Sequence, residues 1–447
     1  MMQPMKKKKL LFDLTGVSLS AEQHALFHRI ENTRDNYILQ GQAGTGKSTF
    51  IKYLFNHSDK KIRILCPTAI AALNISGVTL HSLFQLPLSD FIVKEQIELK
   101  KNTIKILQKT DMIIIDEISM VRPDILDTID YLLKKARGDF SAFGGVQMIF
   151  VGDLCQLPPV IKNTTYHIFQ QKYGYSNAFF FDAKSFQNSG FCFYEFKKVY
   201  RQNDNQLLSF LIDIRERKNL SNALNAFNQL KFKDEEILRT AVTITPYRQI
   251  AEKINQIRLN QIQSEEKTYV ANAKGIFEKT QDTPAPKNLI LKKGAIVLFN
   301  KNNPPYFING SMGEIIDMHE EYLIVRLLQE NKMITVGKEI WQSFSYDYDA
   351  QTDSVIEKET GSFEQFPLQL GYALTIHKAQ GKTLDKVIID TNKGAFAHGQ
   401  MYVALSRTRK LSDIHITNNI KQKDIILDSR VTEFLTNLHK ISFLHKG

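Results

Sequence analysis

A glycine-rich segment near the amino terminus has the residue types that bind a chain of phosphates. GQAGTGKST (41–49) fits the pattern G-x-x-x-x-G-K-[ST] and lies between an apolar run and a helical pattern. The glycines let the backbone curl so that its N–H groups point at the phosphates. Lys47 would reach the terminal phosphates and Ser48 would ligate Mg²⁺. The alternative is a glycine-rich turn that binds nothing, which the position between strand and helix disfavours.

Two carboxylates stand at the end of a later apolar run, DMIIID (111–116). We predict that Asp116 holds Mg²⁺ and that Glu117 polarises the attacking water, as phosphoryl transfer to water requires. Taken alone, an acidic pair at a strand end is more typical of a solvated cap. The phosphate-binding loop elsewhere in the chain reverses that preference.

Gln156 follows the next apolar run, VQMIFV (146–151), and precedes two prolines. A neutral amide accepts a hydrogen bond from a lytic water or donates one to a phosphate, so Gln156 could report whether the terminal phosphate is present. Pro158 and Pro159 would stiffen the segment behind it. The alternative is a polar turn residue whose hydrogen bonds are satisfied locally.

The elements that must position these side chains alternate between strand and helix up to about residue 195. We predict strands and helices in the order 36–40, 47–55, 61–66, 111–116, 125–137 and 146–151. Buried strands alternating with helices indicate a parallel sheet with helices on both faces and ligands at the carboxyl ends of its strands.

The pattern changes after about residue 286 to short β-branched runs, with Asn309-Gly310 as a hairpin signal. These runs predict a small antiparallel barrel inserted into a second α/β unit. That unit begins near 240–247 and resumes at 371–390.

Composition sets outer bounds on the class of protein. The chain has 447 residues, of which 43% are hydrophobic and 23% charged, as in ordinary globular proteins. The scattered cysteines, Cys66, Cys155 and Cys192, argue for reduced thiols and against a zinc site or a disulfide framework. A formal net charge of +11 favours a polyanionic partner.

Localisation is predicted from the amino-terminal residues and from the apolar runs. We interpret Lys6–Lys9 as part of a basic tail rather than of an export signal, and no apolar run approaches the ~18 residues of a membrane helix. We therefore expect a cytoplasmic protein, associated with the nucleoid if the source is bacterial, with no membrane partner.

An ordered set of motifs resembles the superfamily-one helicases. In chain order these are GQAGTGKST, DEISM, GGVQMIFVGDLCQLPP, YRQND, YALTIHKAQGKTLD and YVALSRTR. The combination is most similar to the Pif (petite integration frequency) family of DNA helicases and more distantly to RecD-type helicases. It covers nearly the whole chain.

The resemblance implies an α/β fold with two RecA-like P-loop NTPase domains, a small wedge insert and a small antiparallel β-barrel insert. The first domain would span 1–197, with the wedge at about 85–105. The second would comprise 198–285 and 363–447, and the Src-homology-like barrel would span 286–362.

The resemblance also implies roles for individual residues. Gln23 would recognise adenine, and Arg201 and Arg407 would reach the terminal phosphate from the second domain across a cleft. The implied catalytic residues are Lys47, Asp116, Glu117, Gln156, Arg201 and Arg407. The implied ATP-binding residues are Gln23, Gly44, Thr45, Gly46, Lys47, Ser48, Thr49, Gln156, Arg201, Gly381 and Arg407.

A track for single-stranded DNA would cross both domains. Its implied residues are Pro67, Thr68, Thr79, His81 and Phe84 on the first domain and Thr245, Thr375, His377 and Lys378 on the second. Hydroxyl, imidazole and ammonium groups suit phosphate contacts that position a strand without reading its sequence. Phe84 is either a base-stacking surface or a core residue. Tyr247-Arg248 departs from the Pif pattern, which more usually has Thr-Asn there, and is nearer the RecD style.

These expectations amount to an ATP- and Mg²⁺-dependent DNA helicase that translocates on single-stranded DNA. By resemblance the direction is 5′→3′, the partners are tailed or forked duplexes, G-quadruplexes and RNA–DNA hybrids, and the protein is a monomer in solution. One alternative is a translocase that displaces bound proteins without separating strands. Another is a nucleotide-gated DNA-binding protein, which would not need Glu117, Gln156 and both arginines together.

Overall fold

A computed structural model describes residues 12, 14, 18–87, 92–159, 161, 169–171, 174–200, 204–232, 236–280, 283–303, 305–349, 351–352 and 354–444. Within these residues the helices are α1 (Ala21–Asn32), α2 (Lys47–His57), α3 (Ala69–Asn74), α4 (Leu80–Phe84), α5 (Lys101–Gln108), α6 (Pro123–Arg137), α7 (Lys184–Gln187), α8 (Asn205–Glu216), α9 (Leu220–Gln229), α10 (Ile237–Thr240), α11 (Arg248–Asn260), α12 (Ile276–Lys279), α13 (Ile376–Ala379), α14 (Gln400–Leu405) and α15 (Ser429–Leu444).

The strands in the same residues are β1 (Asn36–Gly41), β2 (Ile62–Cys66), β3 (Val78–Thr79), β4 (Met112–Ile115), β5 (Gln147–Gly152), β6 (Phe191–Phe196), β7 (Val242–Thr245), β8 (Glu266–Val270), β9 (Asn272–Ala273), β10 (Asn288–Lys292), β11 (Ile296–Phe299), β12 (Met312–Met318), β13 (Tyr322–Leu327), β14 (Lys332–Gly337), β15 (Glu339–Asp349), β16 (Ser354–Gln365), β17 (Leu368–Leu370), β18 (Ala373–Thr375), β19 (Val387–Ile389) and β20 (Ile414–Ile416).

The first α/β unit is built on a parallel sheet in the order β3-β2-β4-β5-β1-β6. Successive residues of β4 face opposite sides: Ile113 and Ile115 pack into one apolar cluster, and Ile114 packs into another. Both faces are therefore covered, as the continuous apolar runs predict. Because β4, β5 and β1 are neighbours, the three segments with predicted catalytic side chains end side by side.

The second α/β unit has a parallel sheet in the order β18-β7-β19-β20. Its core includes Val242 and Ile244 of β7 and Val387 and Ile389 of β19. The α/β fold expected from the sequence is thus confirmed, with a parallel sheet in each of two units.

Antiparallel sheets lie between β7 and β18 in the chain. A five-stranded sheet has the order β14-β13-β12-β11-β17, β8 pairs with β10, and the long hairpin β15–β16 pairs with β9. Strand pairing crosses both predicted boundaries of the insert, because β8 and β9 precede residue 286 and β17 follows residue 362. The division into domains at those residues stays a prediction.

The predicted hairpin at Asn309-Gly310 needs correction. β11 and β12 do pair antiparallel, but residues 300–311 connect them, so these two residues are not a two-residue turn. Gly310 has φ 103°, and a Cβ there would lie 2.1 Å from the Thr383 carbonyl oxygen. Glycine is required because the connection closely approaches the second α/β unit.

Two elements cross to the first α/β unit from later in the chain. On hairpin β15–β16, Tyr346 lies under the Arg63 guanidinium, 4.5 Å from its carbon, and Asn102 donates a 2.8 Å hydrogen bond to Asp347. On α15, Phe434 stacks on Phe181 with ring centroids 4.3 Å apart. No helix of the described residues is both long and apolar enough to cross a membrane.

Candidate functional site

The phosphate-binding loop is preformed between β1 and α2. Gly44 and Gly46 have φ of 82° and 84°, a left-handed conformation that favours glycine. Thr45 between them is buried and donates to the Gln42 carbonyl oxygen at 2.9 Å. Lys47 Nζ donates to the carbonyls of Gly41 and Gln42 at 2.7 and 2.8 Å, which holds the ammonium against the loop. On the first turn of α2, Ser48 is exposed and Thr49 half-buried.

Two side chains flank the loop. Gln23 is buried, and its Oε1 accepts a 2.9 Å hydrogen bond from Ser20 N in a capping box at the start of α1. Its Nε2 and the Tyr200 ring would lie 3.9 and 3.7 Å from a Cβ placed on Gly46. Tyr200 N also donates to the Gly44 carbonyl at 2.8 Å, a contact that sequence reasoning missed. The sequence feature that could have indicated this contact is the position of Tyr200 in the motif YRQND. Arg201, the arginine of that motif, lies outside the described residues.

The acidic pair lies at the carboxyl end of β4. Asp116 Oδ1 accepts a 2.9 Å hydrogen bond from Glu117 N. Burial raises the pKa of Asp116. Burial and then the charge of Asp116 raise the pKa of Glu117 to about 7. Glu117 has φ 54°, a strained conformation for a non-glycine residue and one that is concentrated at functional sites.

Gln380 of the second α/β unit joins the catalytic side chains of the first. Its Nε2 donates to Glu117 Oε2 at 3.3 Å and to Gln156 Oε1 at 3.2 Å. Gln156 is buried, and its own Nε2 donates to Asp153 Oδ2 at 3.4 Å. Gln380 was absent from the predicted site residues, although it stands in the motif KAQGKT. The contact places one amide between the predicted general base and the predicted phosphate sensor.

Arg407 holds the backbone on both sides of Gln380. The guanidinium is buried; Nη1 donates to the Ala379 and Lys382 carbonyls at 3.3 and 3.1 Å, and Nε to the Val403 carbonyl at 2.6 Å. Between these carbonyls, Gly381 has φ 77°. The structure therefore brings Lys47, Asp116, Glu117, Gln156 and Arg407 close together.

Three of the threonines predicted to contact DNA stand at strand ends and cap the helices that follow. Their Oγ1 atoms accept backbone hydrogen bonds, at 3.2 Å from Ala71 N to Thr68, 3.1 Å from Ser82 N to Thr79, and 3.2 Å from Lys378 N to Thr375. A hydroxyl that accepts in this way keeps its own proton to donate. Thr68 and Thr79 are half-buried, as is Pro67 beside them.

The two histidines of the predicted track are half-buried. Burial lowers the pKa of both His81 and His377, and the Arg122 charge lowers that of His81 further. Both imidazoles are therefore neutral near pH 7 and can contact phosphate only as hydrogen-bond donors. Lys378 is exposed and supplies the charge that they lack.

Two predicted DNA contacts are buried instead. Phe84 has no exposed surface and packs in the first unit's core, because α4 turns its apolar face inward, so it has no ring face to offer a base. Thr245 is also fully buried, and its hydroxyl accepts a 3.5 Å hydrogen bond from Tyr247 N. Two residues after Thr245, Tyr247 packs on Phe396, and the exposed Arg248 pairs with Glu252 at 2.7 Å.

Comparison with known proteins gives one consistent family. The family model described as PIF1-like helicase matches residues 18–234. The ATP-dependent DNA helicase Pif1 of Bdellovibrio bacteriovorus is 31% identical over 433 residues, which cover 95% of this chain and 93% of that relative.

Two solved structures extend the similarity to the whole fold. Pif1 from Bacteroides sp in complex with ADP-AlF4 is 34% identical with a TM-score of 0.85, covering 95% of this chain and 98% of that chain. Bacteroides Pif1 bound to ssDNA is 35% identical with a TM-score of 0.68, covering 94% of this chain and 96% of that chain.

Proposed function

Because this chain belongs to the family of PIF1-like helicases, we propose that it moves 5′→3′ on single-stranded DNA and opens the duplex ahead of it. It is an ATP-dependent DNA helicase, and the reaction that it catalyses is the hydrolysis of ATP. The observation that supports the proposed mechanism most directly is the contact of Gln380 with both Glu117 and Gln156.

The first α/β unit would bind the nucleotide. The N–H groups of the loop and Lys47 hold the phosphates, and Gln23 recognises the adenine. Ser48 and Asp116 would hold Mg²⁺, since a hydroxyl and a carboxylate are the hard oxygen ligands that this ion prefers. The ion, when bound, neutralises charge on the phosphate oxygens.

Glu117 would then accept a proton from the attacking water. A half-buried carboxyl with a pKa of about 7 is poised for this role, because a general base works best when its pKa lies near the working pH. Gln156 orients the water or the terminal phosphate. Arg407, together with Arg201, stabilises the charge that develops during transfer.

DNA binding would reach this centre through α13. His377 and Lys378 lie on that helix, and Gln380 follows directly after it. The helix is a single turn, so displacement of His377 or Lys378 by a DNA phosphate moves the Gln380 amide relative to Glu117 and Gln156. Binding of single-stranded DNA thereby alters the geometry around the lytic water.

The substrates follow from the family and the charge. We propose tailed and forked duplexes as substrates, with G-quadruplexes and RNA–DNA hybrids as further ones, and a monomer as the solution state. The antiparallel sheets and the segment at about 85–105 would split or clamp the duplex. The alternative, a translocase that displaces bound proteins, would use the same catalytic residues.

The test is unwinding of one short duplex that carries either a 5′ or a 3′ single-stranded tail, with ATP and Mg²⁺ present. We expect strand separation only with the 5′ tail. Separation only with the 3′ tail would overturn the direction. ATP hydrolysis stimulated by single-stranded DNA without separation of either duplex would favour the protein-displacing translocase.

A further inference from the structure

Three adjacent strand ends of the second α/β unit form one edge of its sheet. The parallel strands β18, β7 and β19 are neighbours, so their carboxyl ends lie side by side. Beyond β18 stand His377 and Lys378, and beyond β7 stands Tyr247. Beyond β19 runs the loop 390–399, which carries Lys393 and Phe396.

Tyr247 and Phe396 form an aromatic pair at this edge. Their ring centroids are 5.3 Å apart at 45°, and Phe396 is 56% exposed. The Tyr247 hydroxyl donates to the Lys393 carbonyl at 3.5 Å, and Lys393 Nζ lies 5.6 Å from the Tyr247 ring centroid. A large apolar ring therefore faces solvent beside a cation.

The backbone of the turn that carries Phe396 is held by hydrogen bonds and close packing. Gln400 is fully buried, and its Oε1 accepts hydrogen bonds from Phe396 N at 3.0 Å and Ala397 N at 3.3 Å. Two residues before Phe396, a Cβ on Gly394 would meet Asp424 Oδ1 at 2.7 Å, so the loop also packs tightly there. Phe396 is thus presented to solvent by a fixed turn.

We propose that Tyr247 and Phe396 form a stacking surface for bases of single-stranded DNA, with Lys393 beside it for a phosphate. The proposal rests on the proposed function, because it continues the predicted track from Lys378 across Tyr247 to Phe396. Flat aromatic faces stack on every base, and adjacent cations hold the backbone without reading its sequence. The surface supplies the aromatic contact on the track that the buried Phe84 does not.

The test compares binding of a fluorescent oligo-dT strand to wild type and to Phe396→Ala by anisotropy at several salt concentrations. We expect about tenfold weaker binding with an unchanged salt dependence, since stacking releases no counterions. Lys393→Ala should instead lower the salt dependence. Phe140→Ala is the matched control, because that phenylalanine is 88% exposed on the first α/β unit and should bind as wild type does.

A strand of the same length with abasic residues separates stacking from backbone contact. On that strand the difference between wild type and Phe396→Ala should disappear. An equal loss on the abasic strand, a loss of DNA-free ATP hydrolysis, or wild-type affinity of Phe396→Ala for oligo-dT would each overturn the stacking surface. Failure of the wild-type protein to bind oligo-dT would instead overturn the proposed function.

Discussion

Gln380 is a residue of the second α/β unit that contacts the reaction centre of the first. Its hydrogen bond to Glu117 joins residues 263 positions apart in the chain. The motif spacing was enough to predict that Lys47, Asp116, Glu117 and Gln156 lie at the ends of neighbouring strands, because each follows a recognisable strand; their roles stay predictions. No spacing indicates which amide of a second unit will face them, so the contacts of Gln380 with Glu117 and Gln156 were not predicted.

The residue pattern also could not predict which side chains of the DNA track are exposed to solvent. Phe84 and Thr245 stand in motifs that suit DNA contacts, yet both side chains are fully buried. Whether an aromatic ring or a hydroxyl at a strand end faces outward depends on the packing of the following helix, which short motifs do not specify. Phe396, which does face outward, was not singled out.

Substitution of Gln380 tests whether this residue couples DNA binding to ATP hydrolysis. In Gln380→Ala the hydrogen bonds to Glu117 and Gln156 are lost, and a bond to a charged group contributes about 1.5–3 kcal/mol. We expect stimulation of ATP hydrolysis by single-stranded DNA to fall by about tenfold, measured as the ratio of rates with and without oligo-dT. Gln256→Ala, on the exposed face of α11, is the control. Wild-type stimulation in Gln380→Ala would remove its coupling role.

Among the elements, the buried strands and amphipathic helices of the first α/β unit were predictable at nearly their observed bounds. Long apolar runs flanked by glycine or charge leave few alternatives. The sequence predicted that this later region is made of antiparallel strands, but it did not predict which residues the strands include. β9 and β17 have two and three residues, too few for a pattern, and are defined only by their pairing partners.

The contact between the 300–311 connection and the turn after α13 makes the stability of the fold depend on pH. Lys382 is half-buried there and donates to Asn309 Oδ1 at 2.6 Å, and desolvation lowers its pKa from 10.5 to about 8. Near pH 7 the ammonium is charged in both the folded and the unfolded state, so its burial opposes folding. Between about 8 and 10.5 the folded state releases the proton first, so this cost falls as the pH rises.

We therefore expect Lys382→Met to unfold at a higher temperature than wild type at pH 7. The shift corresponds to at most about 3 kcal/mol and should shrink as the pH rises through 8 to 10.5. Thermal unfolding followed by circular dichroism measures it, with Lys253→Met on exposed α11 as the control. Lower stability of Lys382→Met at pH 7 would show that the bond to Asn309 outweighs the burial of charge.

At the scale of the whole molecule, hairpin β15–β16 lies against the elements that carry the first unit's predicted DNA contacts. Tyr346 packs into the same core cluster as Leu80 and Phe84 of α4. The contacts that hold the hairpin on the first α/β unit oppose any arrangement in which it lies elsewhere.

Tyr346→Ala tests this competition. Removal of the ring weakens the packing of the hairpin on the first α/β unit and its contact with Arg63. If DNA binding requires the hairpin to leave the first α/β unit, weaker packing favours that arrangement, and we then expect oligo-dT to bind several-fold more tightly. Tyr322→Ala, at an exposed tyrosine of β13, should not change the affinity. Weaker binding by Tyr346→Ala would make the hairpin part of the DNA site.

Helix α15 packs on both α/β units. Phe434 stacks on Phe181 of the first unit, while Leu435 beside it packs on the clusters of both units. A helix that packs on both units resists their separation near it, so a relative movement of the units would be largest far from α15. We expect the length of a step along DNA to depend on that distance as well as on the chemistry of phosphate release.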